Sequence, residues 1–202
     1  GRCRFCKESF SINYLLIELL FGLIFLYVKF NEHTNYEGLT VTQNNILSWI
    51  FLTILIPLFI LDYKYLWLPS SVIYLGILIG ALFITIYSYF IGSPIFLNNF
   101  LAAILGFLIF KALSIIGSLV LKKQVIGEGD AKLAIFIGIW LGIKGLIASL
   151  YFAFVSAGLL CIILLNLKMI KRNSKIPFGP FMISGALLVW FYDLGFIYDY
   201  LK

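Results

Sequence analysis

The sequence predicts an all-α, polytopic transmembrane helix bundle of about seven membrane segments with a short fifth helix. Three observations carry that prediction. The 202 residues are 62% hydrophobic and only 12% charged, against roughly half apolar and a quarter charged in soluble domains. The apolar residues gather in runs close to the roughly 20 residues that a spanning helix needs. Lys and Arg fall in alternate connections between those runs, the asymmetry that marks cytoplasmic loops. A net charge of +6 could suggest nucleic acid. However, these bases sit in short loops and form no basic face, so the sequence predicts membrane lipid around the chain and no nucleic-acid partner.

The segments follow in order. Tyr14–Phe30 follows the basic Arg2, Arg4 and Lys7, and its one acid is Glu18. Ile46–Leu61 is closed by Asp62 and Lys64. Ser71–Ile91 begins after Pro69, and Phe100–Leu121 carries Lys111 and ends at Lys122 and Lys123. Leu133–Ile143 is too short to cross alone, so it is either a half-helix or is lengthened by the Gly127–Lys132 turn. Leu146–Leu167 ends at the run Lys168–Lys175, and Phe181–Tyr198 follows Pro177, Gly179 and Pro180. No initiator Met and no signal-peptide pattern precede the first segment, so the chain reads as a fragment. Residues 1–13 read as the remnant of a cytoplasmic cysteine-bearing region, and 14–202 as one membrane domain. Cys3 and Cys6 form a C-x-x-C pair, which in a reducing compartment binds metal more often than it forms a disulfide. Cys161 lies inside a span as a small apolar filler.

The basic connections place the chain start and the loops after segments two, four and six in the cytoplasm. That assignment puts Asp62, at the end of the second segment, and Asp130, at the start of the fifth, on one side of the membrane. A carboxylate at the mouth of a span costs a few kcal/mol, so it calls for a reason. Two carboxyls within a few ångströms supply one. They repel as twin anions, so one keeps a proton while the other is ionised, and the pair offers an acid and a base at once. Such a pair can activate a water and protonate a carbonyl oxygen, which is what peptide hydrolysis requires. The plainer alternative is that each acid is an interfacial charge satisfied by Lys64 or Lys132. Gly127 and Gly129 weigh against it, because glycine weakens a helix start unless backbone must approach closely.

The residues of four stretches carry a resemblance. Gly127-Glu128-Gly129-Asp130-Ala131-Lys132-Leu133, with Gly138 and Gly142 beyond, resembles the G-x-G-D-x-K-L signature of type IV prepilin peptidases, membrane aspartic proteases of the GxGD group. Asp62, seven residues before Pro69 of a Leu-Pro pair, is similar to the family's other catalytic stretch. Ser11 to Tyr14, running to Glu18 and Gly22, and Ile176-Pro177-Phe178-Gly179-Pro180-Phe181 resemble its first segment and the turn before its last span.

The resemblance implies cleavage of the basic leader of prepilins or pseudopilins at the cytoplasmic face of a bacterial inner membrane, with Asp62 and Asp130 as the catalytic pair. Gly127, Gly129, Lys132, Pro69, Glu18, Pro177 and Gly179 become site-shaping or substrate-binding residues. It also implies N-methylation with S-adenosylmethionine, and a zinc site of four thiolates, for a longer protein carrying a second C-x-x-C pair; here Cys3 and Cys6 are one pair. Proteolysis itself needs no cofactor. The chain departs from the pattern at Ser70, where the family often has Asp or Asn, and at Leu15, where it often has Pro. A catalytically idle homologue or membrane subunit of a pilus or secretion assembly is the competing expectation, and a small transporter with proton-relaying acids is a third. Glu18 reads more simply as a structurally paired charge, with Lys111 as a candidate partner, and His33 has no catalytic part. Trp49, Trp67, Trp140 and Trp190 read as interfacial anchors or packing residues.

Overall fold

The computed structural model describes residues 12–30, 39–91, 94–121, 127–169 and 176–192. Six helices follow one another there: α1 Ile12–Phe30, α2 Val41–Tyr65, α3 Ser70–Ile91, α4 Ile95–Leu121, α5 Glu128–Asn166 and α6 Gly179–Tyr192. Cys3, Cys6, His33, Asp193, Asp199 and the basic residues Lys122, Lys123, Lys171, Arg172 and Lys175 lie outside the described residues. By length and composition, α2, α3, α4 and α5 can cross a membrane, while Phe21–Phe30 and α6 are shorter apolar helices. Among the described residues four helices therefore meet these measures of a span, fewer than the expected seven, and the expected fifth and sixth segments fall on the two halves of α5.

The chain packs as two units, Gly1–Ile50 and Phe51–Lys202. In the first, Phe25 stacks on Trp49 with ring centres 5.9 Å apart. The start of α2 is closed by a reciprocal capping box. The Thr40 amide donates to Gln43 Oε1 at 2.9 Å, and the Gln43 amide donates to Thr40 Oγ1 at 3.3 Å. This cap explains why α2 begins five residues before the apolar run at Ile46. Asn44 and Ser48 are buried there because Ser48 Oγ donates to the Asn44 carbonyl at 3.0 Å and Asn44 Nδ2 reaches the Thr40 carbonyl at 3.4 Å. Glu18 lies exposed on α1.

In the second unit α5 packs against α3, α4 and α6. At about 1.5 Å per residue an unbroken helix of its length would far exceed the roughly 30 Å hydrocarbon thickness. It is in fact two helices joined at Gly142, whose φ of 69° and ψ of −176° only glycine adopts without strain. The break deprives the Ile139 carbonyl of its usual helical partner. Asn99 replaces that partner: it is buried, and its Nδ2 donates to Ile139 O at 2.7 Å. Asn98 Nδ2 in turn donates to Asn99 Oδ1 at 3.2 Å. The fourth span was expected to start at Phe100. It starts at Ile95 instead because these two amides belong inside the helix, facing the break. Replacing Asn99 with Ala should cost about 1–2 kcal/mol, the range for an interhelical hydrogen bond in a membrane, read as a lower thermal midpoint in detergent.

Small residues let the helices touch. Gly106 of α4 lies against the Ala134 carbonyl, and Gly138 of α5 against the backbone of Ala102, where an added methyl would sit 2.7 Å from Ala102 O. These antiparallel contacts extrapolate to put Phe110 level with Asp130. Gly76 and Gly80 of α3 receive Phe136 and Trp140. Trp140 Nε1 then donates to the Gly76 carbonyl at 3.1 Å, and its ring meets Phe51 at 5.2 Å and Trp190 at 5.9 Å. Trp140 and Trp190 are therefore core residues, whereas Trp67 is exposed.

Candidate active site

Asp62 lies in the last turn of α2, which continues to Tyr65 rather than ending at Leu61 as the apolar run suggested. The helix stops because Leu66 turns left-handed (φ 52°) while its amide still donates to the Asp62 carbonyl at 2.9 Å. That turn sends the chain back, so Leu68 and Pro69 are buried while Tyr63, Lys64, Tyr65 and Trp67 stay exposed. Asp62 itself is 6% exposed, and its Oδ2 has no hydrogen-bond partner. The alternative of a surface acid satisfied by lysine does not describe this carboxyl.

Asp130 is the third residue of α5 and is half-buried. The expected Gly127–Lys132 turn is helix from Glu128 onward; only Gly127 stands outside, as an extended N-cap (φ −71°, ψ 146°). Two acids in the first turn favour that start because they face the positive end of the helix. The Asp130 amide donates to the Gly127 carbonyl at 3.2 Å, and the Asp130 carboxyl lies close to Gly127. Asp62 and Asp130 lie near enough for the charge of one to bear on the other.

Gly127 and Gly129 have different duties. A methyl at Gly127 would lie 3.7 Å from Asp130 Oδ2, an ordinary contact, whereas one at Gly129 would lie 3.0 Å from Leu68 Cβ and 3.1 Å from its Cδ1. Gly129 is thus where the Asp130 stretch packs on the chain returning from Asp62. Gly129→Ala should cost about 1–3 kcal/mol of stability, typical of overpacking, and displace Asp130; Gly127→Ala should stay within about 0.5 kcal/mol of the parent. Thermal unfolding of the two variants side by side checks the contrast.

Lys132 was expected to act on the acid pair or the peptide. Its ammonium donates to Ser70 Oγ at 2.9 Å and lies 5.5 Å from the centre of the Tyr74 ring. It ties the start of α5 to the start of α3, a partnership that Ser70 makes possible. The remaining predicted residues converge from α6. Pro177 and Phe178 lead into Gly179, the first residue of that helix, which is buried against the Asp62 carboxyl. Phe178 is held between Phe110 at 6.0 Å and Phe154 at 5.0 Å. Phe110 and Phe154 were missed from sequence, since an aromatic on an apolar helix looks the same whether it faces a site or lipid. Among the described residues no group of three or more His, Cys, Asp or Glu could hold a metal. A buried carboxyl with an unpaired oxygen, beside a second carboxyl, can polarise a water and exchange a proton with a bound carbonyl.

Comparison with known proteins identifies the family. Residues 49–165, more than half the chain and containing both acids, match the type IV leader peptidase family. Residues 1–31 match the bacterial peptidase A24 N-terminal domain. A prepilin leader peptidase/N-methyltransferase of Pseudomonas putida is 27% identical over 96% of this chain and 64% of its own length. One of Legionella pneumophila is 28% identical over 100% of the chain and 66% of its own length. A type 4 prepilin-like proteins leader peptide-processing enzyme of Escherichia coli is 32% identical over 93% of the chain and 64% of its own length. The chain thus spans just under two thirds of these relatives. No solved structure matched it significantly. With the family model covering more than half of the chain and both acids, the chain belongs to the type IV leader peptidase family.

Proposed function

We propose that this chain is the membrane peptidase part of a prepilin leader peptidase. It cuts the basic leader from type IV prepilins or pseudopilins at the cytoplasmic face of a bacterial inner membrane. Asp62 and Asp130 are the catalytic pair: one carboxylate takes a proton from the attacking water while the other carboxyl protonates the scissile carbonyl, and on collapse of the tetrahedral diol the first gives its proton to the leaving amine while the second recovers one from the diol, which restores the pair at each turnover. The observation that carries this reading is Asp62 Oδ2, buried without a partner beside a second acid. A buried unpaired carboxyl oxygen is costly, and such strain is retained where a substrate or water completes the site. The apolar helix of the substrate packs in the membrane and presents the scissile bond at the level of the pair.

N-methylation of the new amino terminus, with S-adenosylmethionine, belongs to the proposal only for a protein that carries more than this chain, as the relatives' names and lengths suggest. A zinc site would use Cys3 and Cys6 with a further pair of thiolates. The test is cleavage of a purified prepilin by the chain in proteoliposomes, with Asp62→Asn and Asp130→Asn alongside. Cleavage that survives either substitution overturns the pair. A parent protein that folds and binds prepilin without cutting it supports the competing reading, a non-enzymatic assembly subunit.

A further inference from the structure

The amino-terminal end of α6 opens onto Asp62. A methyl at Gly179 would stand 2.5 Å from Asp62 Oδ2, 3.1 Å from Cγ and 3.5 Å from Cβ, so the whole carboxyl group bears on the bare α-carbon of the glycine. Few amides remain to face it. Pro177 and Pro180 have no N–H, and the amides of Phe181 and Met182 donate to the Phe178 carbonyl at 3.1 and 3.2 Å. The Gly179 amide, at the positive end of a 14-residue helix, is the one that acts on the Asp62 carboxyl. It does so without closing a hydrogen bond on Oδ2. Phe178, wedged between Phe110 and Phe154, holds this turn in place.

We infer that Gly179 is the positioning residue for Asp62: its missing side chain seats the carboxyl against the start of α6, and its amide steadies the charge while leaving Oδ2 free for the attacking water. The inference rests on Asp62 and Asp130 being the catalytic pair. Gly179 touches no substrate; it acts through Asp62.

Two substitutions on α6 separate positioning from packing. Gly185 is also crowded, against the Ser149 carbonyl, but lies on the face of α6 that packs on α5, away from Asp62. Gly179→Ala should lower kcat about 100-fold, the cost of misplacing a reacting group by an ångström, with KM within about twofold of the parent. Gly185→Ala should lower the thermal midpoint and leave kcat per folded molecule unchanged. A Gly179→Ala enzyme with kcat within about threefold of the parent overturns the inference, as does an equal loss in Gly185→Ala. A stability cycle covers the case in which Gly179→Ala folds poorly. Asp62→Ala removes the carboxyl atoms that crowd the new methyl and leaves only the ordinary contact with Cβ, so the double variant should recover the midpoint of Asp62→Ala alone, and strictly additive losses overturn the contact. If Asp62→Asn or Asp130→Asn still cuts prepilin, the paired-acid reading itself has failed. If both are dead while Gly179→Ala is normal, only the role of Gly179 falls.

Discussion

Asparagine at position 62 or 130 should reduce leader cleavage by about 10⁴-fold, the upper end of what a positioned acid or base contributes. The double variant should be no worse than either single one, because two groups that share one proton act as a unit and their losses do not add. Stability should move the other way at one of them. Asp62 is buried with an unpaired oxygen, so a neutral amide of the same shape removes a desolvation cost. Asp62→Asn should therefore unfold at the same temperature as the parent or higher, while being inactive. Cleavage assays together with detergent unfolding measure both, and an Asp62→Asn protein that loses activity and stability together would mean that the carboxyl chiefly holds the fold.

Trp140→Ala should be the most damaging substitution away from the acids, at about 3–5 kcal/mol. The ring is 2% exposed and touches Phe51, Phe136 and Trp190, and its Nε1 bond to the Gly76 carbonyl fastens α5 to α3. Since lipid is as apolar as the core, little of this loss is transfer from water; it is lost dispersion and a freed carbonyl. Trp140→Phe keeps most of the ring and should lose only about 1 kcal/mol, the worth of the hydrogen bond. Chemical unfolding in mixed micelles distinguishes the two, and a Trp140→Ala protein within about 1 kcal/mol of the parent would remove this cluster from the centre of the fold.

Run length and charge placement made the helices legible, and the two short motifs made the acids legible. Helix ends were not. Thr40 and Gln43 cap α2 outside its apolar run, and Asn98 and Asn99 sit inside α4. Polar residues in a hydropathy reading mark loops, yet here they satisfy backbone that a cap or a break leaves unpaired. The partner of Lys132 was equally hidden, because Ser70 is distant in sequence and reaches it only once α3 and α5 pack. Gly129 and Gly179 were recognisable as motif glycines, but what presses on each, Leu68 and Asp62, is known only from the packing. Gly76 and Gly80 are four residues apart on α3, a small-residue spacing that could have been read as a helix-packing face.

The break at Gly142 makes the front half of α5 a ruler. Asn99 pegs it at the Ile139 carbonyl near its far end, and its near end carries Asp130, nine residues away by number. At about 1.5 Å and 100° per residue, that count sets both how high Asp130 stands and which way it points. One residue added or lost between them would raise or lower the acid by about 1.5 Å and swing it by a quarter turn or more. The place of Asp130 is therefore a matter of length as much as of chemistry, and this half-helix cannot drift in length without moving the acid.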